Sequence, residues 1–368
     1  MKLFGTRFLY FLLASLTYWI LAMLLFYALR FVGIADAEGI EVAQVYEERE
    51  WDFIAVVILM GFLLGLFYAL SEFLLERSFF KRRALGIVLL VRIMIYLLIL
   101  LSINVILQGI KTYYFPNMLF RASDPILLRS SFWVYVAFFG MSSFLFSFVR
   151  MVSQKAGKGV LLNMLLGKYR MPKEEKRVFI FVDLKDSTRL AEKLGHVRYS
   201  QLIQRFFYDL NEITAQYDGE IYQYVGDEAV VSWPYEKAIR QNRCLNFFFA
   251  FQEFIRSRAA SYKRRFGVCP EFKAGMHGGL VTVTEVGIVK KDIAYHGDVL
   301  NTTSRIQGAC NTYDERLLVS ETLLHDLDTR SLHVRYLGGI LLRGKREPVN
   351  VGVPYEKAER RVCEASQV

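Results

Sequence analysis

Two aspartates stand where a chain can present acid groups to a ligand. Residues 177–183, RVFIFVD, form an apolar, β-rich run that ends in Asp183. The segment LKDSTRLAEKLG that follows reads as a tight turn into a helix, with Ser187 or Thr188 as its N-cap. A strand, turn and helix in that order set Asp183 at the strand's carboxyl end, beside helix N–H groups that can hold phosphate oxygens. Further on, YDGEIYQYVGDEAVVSW reads as two strands joined at Gly226 and Asp227, which puts a second acid at a hairpin tip. Two carboxylates on adjacent strand ends can hold two Mg2+ ions, clamp phosphates and lower the cost of forming an oxyanion nucleophile. Aspartate is also common in turns for conformational reasons alone. Spacing by itself leaves both readings open.

Three strings in fixed order narrow the choice. FVDLKDST at 181–188, YVGDEAVVSW at 224–233 and HGDVLNTTSRIQ at 296–307 resemble the FxDxxxxT opening, the GD hairpin and the GxxxNxxxR helix of class III adenylyl and guanylyl cyclases. The resemblance covers 177–354, including GMHGG at 275–279 and LRGKREPV at 342–349. It extends to bacterial membrane cyclases in which a stretch like NMLLGKYRMP precedes the first strand.

This resemblance implies that Asp183 and Asp227 coordinate two Mg2+ or Mn2+ ions per active site, with the Leu184 carbonyl assisting. It implies that Asn301 orients the ribose and that Arg305 stabilises charge on the α-phosphate. Arg343 or Lys345 would meet the terminal phosphates, and Ser187 and Thr188 would lie along the substrate. The implied reaction is attack of the ribose 3′-oxygen of ATP on the α-phosphorus, releasing pyrophosphate. In that family the metal acids come from one protomer and the Asn and Arg from the other, so the resemblance implies a homodimer with interfacial sites.

At the purine-contact positions the chain departs from the family. Adenine users carry Lys and Asp or Thr, and guanine users carry Glu and Cys, where this chain has Gln223 and Ala294. The Gln223 amide can donate and accept toward a purine edge, whereas the Ala294 side chain can do neither. Guanylyl cyclase activity and a catalytically silent nucleotide-binding receptor therefore stand as alternatives. A diguanylate cyclase is disfavoured, because Val225 replaces the first glycine of its GGDEF hairpin and the Asn301–Arg305 helix has no place in it.

These residues must be carried by elements, and composition divides the chain in two. Of the 368 residues, 54% are hydrophobic, and the mean hydropathy of +0.26 is too apolar for one ordinary globular domain. The excess lies before residue 152, in four apolar runs at 8–29, 53–75, 84–108 and 131–149. Each approaches the roughly 20 residues of helix that a bilayer requires, so four transmembrane helices are expected. The first exceeds a signal peptide's apolar core and lacks a small-residue cleavage site, so it is expected to be retained.

Lys2 and Arg7, then Arg77, Lys81, Arg82 and Arg83, then Arg150, Lys155 and Lys158 flank these runs on one side. The segment from Asp36 to Asp52 is acidic. By the positive-inside rule both termini and the second half are cytoplasmic, in a multi-pass inner (plasma) membrane protein. Arg92 lies near the end of its run and reads as a snorkelling residue. Trp51, Phe53, Tyr113, Tyr114 and Phe115 read as interfacial anchors.

The net charge of +10 is accounted for by these flanks and by scattered cations, without the clustered stripe of a nucleic-acid binder. Cys244, Cys269, Cys310 and Cys363 are widely spaced with no CxxC, arguing against a zinc site or a disulfide framework. The expected organisation is a four-helix membrane domain at 1–151, a helical linker at 152–176, a catalytic domain at 177–357 and a tail at 358–368. The linker helix around 160–166 either pairs with its copy or is a plain spacer. The catalytic domain is expected to be α/β, of the ferredoxin-like βαββαβ palm type.

Overall fold

The computed structural model describes residues 2–37, 50–78, 94–95, 130–156, 166–289, 291–330, 332–341 and 347–356. The chain divides into two compact units, Met1–Val152 and Ser153–Val368.

In the first unit, α1 (Lys2–Ala37), α2 (Glu50–Ser78) and α3 (Ser130–Ala156) cover the first, second and fourth apolar runs. Among the described residues, two helices are long and apolar enough to cross a membrane, within Phe11–Leu29 and Ile54–Ser71, and Val136–Arg150 is a shorter apolar stretch. The expected third span apart from residues 94–95, Arg92, the Tyr113–Phe115 cluster and the 160–165 part of the linker lie outside the described residues.

The packing of these helices inverts the soluble pattern. Leu9, Leu13, Leu21, Leu25, Val56, Leu59, Phe62 and Phe67 are exposed, while Ser15, Ser142 and Ser143 are buried. Gly61 and Gly65 let α1 and α2 touch through their backbones, since a Cβ on Gly65 would lie 2.8 Å from the Leu16 Cα. Ser15 Oγ donates to the Gly65 carbonyl at 3.0 Å, and the Tyr18 hydroxyl donates to the Ser142 carbonyl at 2.7 Å. Trp19, Tyr68 and Phe139 fill the space between the three helices.

The second unit begins with β1 (Lys173–Leu184) and α4 (Ser187–Thr214), followed by the hairpin β2 (Glu220–Val225) and β3 (Glu228–Pro234). Short α5 (Tyr235–Ile239), α6 (Arg243–Ser257) and α7 (Ala259–Phe266) lead to the long β4 (Phe272–Val286). These complete a βαββαβ unit with sheet order β2-β3-β1-β4 and antiparallel neighbours. β5 (Asp292–His296) folds back onto the end of β4. α8 (Asp298–Tyr313) crosses to β6 (Leu317–Ser320), which pairs parallel with β4. α9 (Glu321–Asp326), β7 (Leu332–Ile340) and β8 (Val349–Glu356) close the sheet.

The palm-type α/β domain expected from sequence is therefore present, on a mixed sheet. One face of the sheet is buried under α4, α6 and α7 by a core that includes Ile180, Phe206, Trp233, Phe247 and Phe251. α8 lies on β4 where Gly275 admits it, because a Cβ there would sit 2.3 Å from the Gln307 backbone nitrogen.

Two boundaries differ from expectation. β1 starts at Lys173, inside the span read as linker, because the charged residues Lys173–Lys176 pair with Leu280–Val283 of β4. A polar run joins a strand when a long neighbour supplies its ladder. The N-cap of α4 is Asp186, in the left-handed conformation (φ 55°), and not Ser187 or Thr188; Ser187 is already the first helical residue.

Candidate active site

β1 and β3 run antiparallel with Asp183 opposite Glu228, so the two-residue Gly226–Asp227 turn falls beside the end of β1. Gly226 supplies the positive φ of 62° that this turn needs. Asp183 and Asp227 are thus brought together by one strand register. On the other side of Asp183 the chain turns through Lys185, whose N–H donates to the Glu271 carbonyl at 2.8 Å, and enters α4. Asp186 makes no side-chain cap bond, so no cap side chain takes the first N–H groups of α4, at Ser187 and Thr188. Leu184, the last residue of β1, buries its side chain in the core.

Four residues at this corner were not singled out by sequence reasoning. Gln307 Nε2 donates to Asp183 Oδ2 at 2.9 Å, and Lys273 Nζ pairs with the same oxygen at 3.2 Å. Glu228 stands opposite Asp183. Tyr199, beyond the break in α4 at Gly195 (φ 71°), lies beside Ser187 and feels the charge of both aspartates. The contacts of Gln307, Lys273 and Glu228 with Asp183 cross long sequence separations, so no local spacing marks them; the only local cue is that Glu228 follows Asp227 directly.

Burial raises the Asp183 carboxyl above its ordinary range, opposed by Lys273 and reinforced by the negative charge of Asp227. Burial, then Asp183 and Asp227, push Glu228 up to about 7. Three acids therefore crowd one partly desolvated corner, and a divalent cation would relieve their repulsion. Among the described residues no group of three acid, His or Cys side chains is arranged to hold a metal ion. The fit therefore rests on the two aspartates and their hard oxygen donors, which suit Mg2+ or Mn2+.

The remaining expected residues lie elsewhere. Asn301 is exposed and Arg305 half-buried, one turn apart on α8, on the side opposite buried Thr303, Ile306, Gln307 and Cys310. Among the described residues neither makes a hydrogen bond or ion pair to Asp183 or Asp227. Gln223 is exposed on β2 at an irregularity in the β2–β3 register. Ala294 lies on β5 opposite Thr284. Arg343 and Lys345 lie outside the described residues. One chain thus assembles the acid half of the expected site and leaves Asn301 and Arg305 apart from it.

Comparison with known proteins places the second unit in a family. A family model described as the adenylate and guanylate cyclase catalytic domain matches residues 170–353, half of the chain. Adenylate cyclase 2 of Rhizobium meliloti (strain 1021) is 38% identical over 180 residues, covering 49% of this chain and 50% of the relative. Adenylate cyclase 1 of the same organism is 28% identical over 147 residues, covering 38% of this chain and 22% of that one. The chain thus spans half or less of the length of these curated relatives. Among solved structures, a bacterial light-regulated adenylyl cyclase superposes with a TM-score of 0.50 at 17% identity, covering 62% of this chain and 67% of that one, a likeness of fold.

Proposed function

Because the chain belongs to the adenylate and guanylate cyclase catalytic domain family, we propose that it converts ATP to 3′,5′-cyclic AMP and pyrophosphate as a membrane-anchored homodimer. The observation that carries the reading is the β1–β3 register, which sets the Gly226–Asp227 hairpin tip beside Asp183 at the carboxyl end of β1.

In this reading Asp183 and Asp227, with the Leu184 carbonyl, hold two Mg2+ or Mn2+ ions. Bound there, the ions would lower the pKa of the ribose 3′-hydroxyl and neutralise the triphosphate. The uncapped N–H groups at Ser187 and Thr188 receive phosphate oxygens at the positive end of α4. A second protomer supplies Asn301 to orient the ribose and Arg305 to stabilise charge at the α-phosphate, with Arg343 or Lys345 meeting the leaving pyrophosphate. The separation of Asn301 and Arg305 from the acids within one chain supports this division of labour. Gln223 contacts the purine through its amide, and Ala294 adds no side-chain hydrogen bond. ATP is favoured because the Glu and Cys of guanine users are absent and the relatives matched are named adenylate cyclases.

The apolar outer surface, buried serines and close Gly61–Gly65 contact of α1 and α2 support membrane insertion. The flanking Lys and Arg favour a multi-pass protein of the inner membrane with the catalytic domain in the cytoplasm.

The test is product analysis. Full-length protein in detergent, given Mg2+ or Mn2+ with ATP or GTP, is resolved by chromatography. Cyclic AMP from ATP is expected. Cyclic GMP as the main product would move the assignment to a guanylyl cyclase, and no cyclic product from a verified dimer would leave a silent nucleotide receptor.

A further inference from the structure

Asp183 Oδ2 is held from two directions by one helix. Gln307 on α8 donates to it directly at 2.9 Å. Lys273 on β4 pairs with it at 3.2 Å and also donates to Asn311 Oδ1 at 3.0 Å. Gln307 and Asn311 are four residues apart on α8, so successive turns of a single face reach Asp183, once directly and once through Lys273. The reach is short because α8 lies on bare backbone at Gly275.

Gln307 is only 6% exposed, and a buried amide is retained where its hydrogen bonds have partners. Both contacts use Oδ2, while Oδ1 carries no hydrogen bond among the described residues. A carboxylate held by one oxygen cannot rotate freely, so the direction of its other oxygen is set by α8. Groups that hold a metal ligand in this way fix its orientation and its donor strength.

We propose that Gln307 is a positioning residue for Asp183: its amide, backed by the Lys273–Asn311 pair, pins Oδ2 and presents Oδ1 to a divalent cation. The proposal rests on the metal-binding role given to Asp183 above. It also joins the acid to the helix that carries Asn301 and Arg305, so a shift of α8 is felt at Asp183.

Manganese binding, read without turnover, tests this. Full-length protein in detergent is titrated with Mn2+ in the absence of nucleotide, and free Mn2+ is followed by electron paramagnetic resonance. Gln307→Leu keeps the volume and removes the amide, and Gln307→Met serves if the branched side chain disturbs packing. Thr303→Val, which removes a buried hydrogen bond of the same helix to the Val299 carbonyl, controls for helix stability. The Gln307 variants are expected to bind Mn2+ about tenfold more weakly, and Thr303→Val within about twofold of wild type. Unchanged affinity in the folded Gln307 variants overturns the proposal, as does equal weakening in Thr303→Val. Wild-type protein that binds no Mn2+ overturns both this proposal and the metal reading it rests on.

Discussion

Asp183 and Glu228 face each other across the β1–β3 ladder, one residue beyond the hairpin acid Asp227. Glu228 is partly buried there, and burial together with the two aspartates lifts its carboxyl from 4.5 to about 7. The folded protein therefore keeps a proton that the unfolded chain sheds at lower pH. The stability associated with this group is fully present below about 4.5 and is lost as pH rises to about 7, with no further change above. Because the side chain is only half-buried, solvent screening reduces the effect to about 1 kcal/mol. Thermal melts in chelator should show stability falling between about pH 4.5 and pH 7, and Glu228→Gln should flatten that slope. A slope unchanged in Glu228→Gln would assign the pH dependence to other groups.

Gly275 is where α8 meets the sheet, and a Cβ there would lie 2.3 Å from the Gln307 nitrogen and 2.6 Å from its Cα. Both clashes are with backbone, which cannot swing aside. Gly275→Ala should cost about 2–3 kcal/mol. It should also lower kcat by about tenfold or more, since Asn301 and Arg305 move with the helix. Gly308→Ala, on the same helix with nothing within 4 Å of the added Cβ, should be neutral or stabilising by up to about 1 kcal/mol. Calorimetry and single-turnover rates on both variants check the contrast, and equal effects would show that the close approach does not matter.

If the acids and the α8 pair serve the same site from different chains, two dead proteins can repair each other. Asp227→Ala and Arg305→Ala homodimers should each be inactive. Co-expressed, they should form heterodimers with one intact site and recover a substantial fraction of wild-type turnover per dimer. Differently tagged chains purified in tandem make the measurement, and inactive heterodimers of confirmed composition would refute the shared site.

Much of this was written locally. The apolar runs of α1, α2 and α3, the strand that carries Asp183, the Gly226–Asp227 hairpin and the Asn301–Arg305 helix could be read because each is set by residues within a few positions of one another. Gly226 permits its turn by lacking a Cβ, and apolar length alone marks α1 and α2 as able to span a bilayer. The first turn of α4 differs from the sequence expectation for a local reason too. Ser187 and Thr188 have the chemistry of a cap, but Asp186 takes the left-handed conformation one residue earlier and starts the helix there.

The start of β1 was hidden because Lys173–Lys176 have the composition of a solvated linker and become strand only when β4 lies alongside. Lys273 and Gln307 were hidden for the same kind of reason. Nothing near either residue in the chain refers to Asp183, and Gln307 lies 124 positions away from it. The sequence by itself determined the family and the strand and hairpin that carry the two aspartates, since propensity, turn chemistry and motif order act over short stretches of chain. Only the tertiary structure decided what surrounds Asp183, because a hydrogen bond or a charge acts through space, and the sheet order and the seat of α8 on Gly275 set which distant residues share that corner.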